Sequence, residues 1–249
     1  MKARAALRIL AIVLGCVGVG WGVLTFPIFA RDAQIEPVAA KVLRGEIFQP
    51  QQLAAQLGTI HSVASQPYCY APAARNAAII SLRVAEDSLN NPAIGQIDEN
   101  MAAATAAVKS SLSCDPVDGY LWLSLFWLRA IGSGTQPKDL DLLRMSYAQG
   151  PNEGWIMAKR NHLALAMFAS LPPDLAEQAV AEFAKMLTPE FVAIAADNFV
   201  GPGWPIHEKL LDRIKDLPES ERWDFAETLA IKGYQIDVPG IELPKRQFQ

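Results

Sequence analysis

No charged residue occurs between Ile9 and Ala30. At about 1.5 Å per residue these 22 positions reach about 33 Å, enough to cross the hydrocarbon core of a bilayer. In lipid such a segment is restricted to a helix, because only a helix satisfies every backbone N–H and C=O within itself. A transmembrane helix over residues 9–30 is therefore expected, after a short stretch, 1–8, that holds Lys2, Arg4 and Arg8. Basic residues favour the cytoplasmic side, which puts the N-terminus in the cytoplasm and everything after Arg31 across the membrane. Two readings compete with a permanent anchor. "IFA" before Arg31 is a loose cleavage site, although Ile28 is not small and the apolar stretch is longer than a signal core. "VLGC" ending at Cys16 has the shape of a lipoprotein box, yet the residues after it stay apolar.

Beyond the span the composition is globular, with 51% hydrophobic and 19% charged residues in the 249-residue chain. Three of the 22 Lys and Arg precede the span, which leaves 19 against 26 acidic residues after it, a balance of −7. An acidic body with scattered basic residues argues against nucleic acid, whose binding rests on phosphate neutralisation.

The rest of the chain reads as helices separated by breakers. A linker region, 31–72, holds a short amphipathic helix near Glu36 to Arg44 and another from Gln51 to Ser65, before "SQPYCYAP" interrupts the pattern. Ala-rich helices follow at 73–89 and 97–112, with "NNPAIG" (Asn90 to Gly95) as the turn between them. Further helices are expected at 117–130, 138–149, 152–171, 175–187, 189–199, 206–215 and 218–233. In the fourth of these seven, Leu175, Ala176, Ala179, Val180, Phe183, Ala184 and Leu187 form one core-facing stripe. The segment 234–249 has two prolines and no helical stripe, and reads as an extended tail.

One motif is written twice. "SLSCDPVDGYLW" (Ser111 to Trp122) and "SYAQGPNEGWIM" (Ser146 to Met157) share Ser, Pro, an acid, Gly and an aromatic at a constant offset of 35, and Pro189 recurs 38 residues later. Such a period fits paired helices that cannot bury their apolar faces alone and therefore stack. Pro at a first helical turn loses nothing, an acid beside it favours the helix dipole, and Tyr120 and Trp155 can fill the gap between hairpins.

The repeat, with large residues early in its first helix ("DGYLWLSL", "EGWIMAKR"), resembles a degenerate tetratricopeptide array over roughly Ala73 to Leu217. "LSLF" (Leu123 to Phe126) replaces that family's Leu-Gly pair. The run "LRMSYAQGPNEGWIMAKRNHLALAMF" also resembles small, singly anchored bacterial envelope proteins that accompany polysaccharide synthesis and export genes. Together these resemblances imply an all-α chain: an N-terminal transmembrane helix, then a tetratricopeptide-like solenoid over 73–233, facing the periplasm from the bacterial inner membrane.

Little in the sequence names a reaction. His61, His162 and His207 have no partner at metal spacing, the cysteines form no CxxC, and the GxSxG, HExxH, GxxxxGK[ST] and GxGxxG patterns are absent. Asp98, Glu99, Asp139 and Asp141 stand at helix starts, where capping accounts for them. No catalytic residue, cofactor or metal is expected. Two carboxylates could meet in space as a glycosidase pair, but nothing in the sequence marks which.

Cys69 and Cys114, both beyond the span, are expected to form a disulfide. Cys69 stands just before one Ala-rich helix and Cys114 just after the next. An antiparallel hairpin of similar helix lengths returns the second to the first. Lys159, Arg160 and Asn161 form a polar run on an otherwise apolar helix, and with Trp155 they are the candidate partner-binding residues of a concave face. A solvated face is the plainer account of such a run. Three functions follow: an anchored adaptor for protein partners in the envelope, a subunit docked through its transmembrane helix, or a glycan-cleaving helical hydrolase. Gly15, Gly18, Gly20 and Gly22 would permit close helix approach in the second case.

Overall fold

The computed structural model describes residues 2–48, 52–53, 55–64, 69–91 and 96–243, and all regular structure among them is helical. The helices are α1 (Lys2–Leu43), α2 (Leu57–Ala64), α3 (Ala71–Asn90), α4 (Ile97–Cys114), α5 (Gly119–Ser133), α6 (Leu140–Gln149), α7 (Gly154–Ala166), α8 (Pro173–Lys185), α9 (Val192–Val200), α10 (His207–Ile214) and α11 (Glu219–Ile231). Parts of the expected linker helix at 51–65, of the Pro-rich break at 65–72, of the turn at 90–95 and of the tail at 244–249 lie outside the described residues.

The sequence expectation needs its main correction at the start. Instead of a membrane segment followed by a separate helix near Glu36 to Arg44, α1 runs unbroken from Lys2 to Leu43, through Pro27 and Pro37. Leu7–Pro27 within it is long and apolar enough to cross a membrane, and none of it is buried within the protein. Asp32, Ile35 and Ala39 follow at helical spacing and are buried, so the same helix passes into a protein core. It ends at Leu43, and the positive φ of 75° at Gly45 lets the Gly45 N–H bond Val42 O and the Glu46 N–H bond Lys41 O.

The chain divides into two units, residues 1–117 with 127–134, and residues 118–126 with 135–249. In the first, α3 and α4 form the expected antiparallel hairpin, and α1 and α2 pack against α3. The small side chains of Ala73, Ala77, Ala78, Ala85 and Ala104 are buried there beside Ile79, Ile80 and Leu82. Asp32 is satisfied by Asn76, whose Nδ2 donates to Oδ1 at 3.0 Å. The Phe29 ring meets Tyr70 edge-on, with centroids 5.2 Å apart. Cys69 and Cys114 are joined as a disulfide, their Cα atoms 5.6 Å apart across a separation of 45 residues.

In the second unit the twice-written motif has a packing reason. A Cβ on Gly119 would lie 2.8 Å from Gly150 N, and one on Gly154 would overlap the Phe191 ring. Each motif glycine is thus where the turn ahead of a later helix lies against the start of α5 or α7. The prolines, however, do not occupy first helical positions. Pro116 and Pro151 stand in turns three residues before α5 and α7, and Pro189 in a turn before α9. Asp118 is the residue that caps α5, its Oδ1 accepting from Leu121 N at 3.0 Å. The Tyr120 and Trp155 rings meet at 4.8 Å, as the repeat implies.

Phe183, Phe199 and Phe225 centre this unit's core, with ring centroids 5.4–6.1 Å apart. The tail has no regular structure over 234–243, as expected, but it is held down. Val238 is buried, Ile236, Ile241 and Leu243 pack on the core, and Arg222 Nη1 donates to Pro239 O.

Alkylation of the native chain without reduction should modify Cys16 alone, and modification of Cys69 and Cys114 would refute the cross-link. Closing this loop contributes about 3–4 kcal/mol as an upper figure, so reduction should lower the melting temperature.

Candidate functional site

The polar run on α7 turns inward. Helical spacing places Arg160 and Asn161 between the buried pairs Ile156/Met157 and Ala164/Leu165, on the core face. Both are 0% exposed. The expectation that they line an open concave face is therefore corrected; of the four candidate residues only Lys159 and Trp155 reach solvent.

All five guanidinium N–H groups of Arg160 are engaged. Nε and Nη2 donate to Glu182 Oε1 at 2.9 and 2.5 Å, Nη1 to Ser146 O at 2.6 Å and Oγ at 3.1 Å, and Nη2 also to Gly150 O at 3.0 Å. The guanidinium carbon lies 4.1 Å from the centre of the Tyr147 ring. Ser146 Oγ in turn donates to Gly119 O at 2.8 Å. One side chain thus joins α6, α7 and α8, and through Ser146 reaches the start of α5.

Asn161 continues the seam. Its Nδ2 donates to Ala179 O at 2.8 Å, Asn198 Nδ2 donates to Asn161 Oδ1 at 3.2 Å, and His162 Nδ1 lies 3.0 Å from Asn198 Oδ1. Burial pushes the Glu182 carboxyl up from its ordinary value, against the opposing pull of Arg160. Burial, with the Glu182 charge second, pushes the Tyr147 phenol well above its ordinary value. Glu182 and Tyr147 also act on each other, the Tyr147 phenol helping to hold the Glu182 carboxyl down against its burial.

Sequence reasoning missed Glu182, Tyr147 and Asn198. Glu182 carried a readable signal: it stands seven residues after Leu175 and three after Ala179, an acid in register with the core stripe of α8.

Two separate groups of aromatic side chains reach solvent. Trp155 is 37% exposed against Tyr120, and Lys159 Nζ stands 5.4 Å from the Tyr120 ring centre. Trp204, 45% exposed, stacks on His207 at 4.4 Å between centroids. Comparison with known proteins finds no matching family model, no similar curated protein and no similar solved structure.

Arg160→Ala should cost about 3–5 kcal/mol, because it strands a buried carboxylate, whereas Lys159→Ala should stay within about 0.5 kcal/mol. Urea unfolding of each single variant checks this; equal, small losses would refute the assignment.

A raised folded pKa at Glu182 means that its stabilising share is full below the ordinary value of 4.5 and is lost as pH rises through the folded value. Above pH 4.5 the stability difference between the wild-type chain and Glu182→Gln should therefore move in favour of Gln. A difference that stays constant or moves the other way would contradict the raised pKa.

Proposed function

We propose that the protein is a membrane-anchored scaffold with a tetratricopeptide-like helical array, held on the periplasmic face of a bacterial inner membrane, where it gathers protein partners of an envelope assembly. The resemblance to proteins that accompany polysaccharide synthesis and export genes directs the proposal to that kind of assembly. The observation that carries it is the unbroken passage of α1 from its apolar segment, Leu7–Pro27, into a core through Asp32, Ile35 and Ala39. A membrane segment built into the fold holds a domain in fixed orientation, which suits a protein that positions others. The repeated glycine junctions at Gly119 and Gly154 favour the stacked-hairpin reading. Partner binding is assigned to Trp155 and Lys159, with Arg160 and Asn161 holding their helix from behind. Trp is among the residues enriched in binding hot spots, and Lys159 stands beside Trp155's partner ring, Tyr120.

A second reading has its own support. At Gly15, Gly18, Gly20 and Gly22 nothing among the described residues beyond the local helix backbone lies within 4 Å of where a side chain would begin, which leaves this part of α1 open to another transmembrane helix.

Removal of residues 1–30 retains Asp32, Ile35 and Ala39 and should leave a folded helical protein by circular dichroism. In crosslinking from native membranes, the scaffold reading expects this truncated chain to keep its partners; loss of all of them would favour docking through α1. The double variant Trp155→Ala with Lys159→Ala should weaken capture about tenfold or more while the chain stays folded by circular dichroism. Undiminished capture would remove those two residues from the interface.

A further inference from the structure

We infer that the disulfide-bearing end of the α3–α4 hairpin rests in the headgroup layer of the membrane that α1 crosses, so that the lipid surface is itself a binding partner of this domain. The inference rests on the reading of α1 as a membrane anchor.

Two contacts fix the direction. Phe29 meets Tyr70, and Asp32 meets Asn76, so that an advance along α1 matches an advance along α3 and the two helices rise together. Since α1 rises out of the bilayer, the start of α3 is its membrane-proximal end and α4 returns to the same level. Cys114, 5.6 Å from Cys69 between Cα atoms, confirms that α4 ends beside the start of α3.

Height follows from helix rise. Phe29 lies two residues, about 3 Å, beyond the end of the apolar segment at Pro27, and Asp32 about 7.5 Å beyond it. The headgroup layer on one side of a bilayer is about 5–8 Å thick. Tyr70, against Phe29, therefore stands at the depth where Tyr and Trp gather at membrane interfaces, and the part-buried Asp32–Asn76 pair marks the upper edge of that layer. Cys69, Pro72 and Val117 are exposed at this end of the hairpin, Val117 by 61%. Pro72 lies in the first turn of α3, while Val117 lies three residues beyond Cys114, in the turn that follows α4. A helix of the length of α3 carries its far end, at Asn91, about 30 Å away from the lipid.

Spin-label accessibility in the full chain, reconstituted into phosphatidylcholine–phosphatidylglycerol vesicles, tests this. A nitroxide carried on p-acetylphenylalanine at position 117, and separately at 72 and at 91, leaves the Cys69–Cys114 bridge untouched, and a thiol-directed label on Cys16 serves as the depth control. The expected result is a label at 117 and 72 at headgroup depth, a fully aqueous label at 91, and Cys16 in the hydrocarbon. Labels at 117 and 72 as water-accessible as that at 91, with Cys16 in the hydrocarbon, would overturn the inference while leaving the anchor standing. A water-accessible Cys16 label would overturn the anchor reading, and the inference with it.

Discussion

The buried guanidinium of Arg160 is the interaction on which the arrangement of the second unit depends. At the end of α6, Ser146 O accepts both the Gly150 N–H and Arg160 Nη1, and Gly150 O, just past the helix, accepts from Arg160 Nη2. A side chain from α7 thus adds to the backbone cap of α6, while its remaining N–H groups hold Glu182 on α8. Moving such a charge out of water is costly, and the cost is offset only when every donor is met with good geometry. All five are met. What the pair contributes beyond this balance is register: any slide of α8 against α7 breaks several charge-assisted bonds together.

This same residue marks where local reasoning from sequence goes astray. Composition groups Lys159, Arg160 and Asn161 as one solvated run, since short charge runs usually are. Period separates them. Ile156/Met157, Arg160/Asn161 and Ala164/Leu165 repeat every four residues, the same double stripe seen on α8, and the polar pair occupies its centre. The partner that makes the burial tolerable, Glu182, stands 22 residues away, and no local pattern pairs the two. The disulfide was legible for the opposite reason: two Ala-rich helices of similar length and one short turn define a hairpin whose ends must meet.

The course of α1 was legible only in part. A change from apolar to charged residues at Arg31 marks where the apolar segment ends, but it says nothing about where a helix ends. Ala33, Val38, Ala39 and Ala40 continue good helical sequence, and the helix stops just before the first glycine after the span, Gly45. Asp32 offered no hint of burial, because its partner Asn76 lies 44 residues on. The repeated Pro-x-acid-Gly-aromatic motif was rightly seen as a junction, although its glycine, rather than its proline, is what close packing demands.

The two units reach order by different means, and their side chains explain why. The second surrounds Phe183, Phe199 and Phe225 with large apolar neighbours, so that each core residue removes much surface from water. In the first, much of the α3–α4 interface is alanine, which lets helices approach closely but buries far less area per residue. A covalent link is most useful to a hairpin of this kind: it limits the freedom of the unfolded chain, a contribution that does not depend on side-chain size. The alanine faces that make the bridge valuable also leave room for α1 to lie against α3, with Ile35 and Ala39 fully buried. Small residues on α3 thus go together with both the cross-link and the close seating of α1 in this unit.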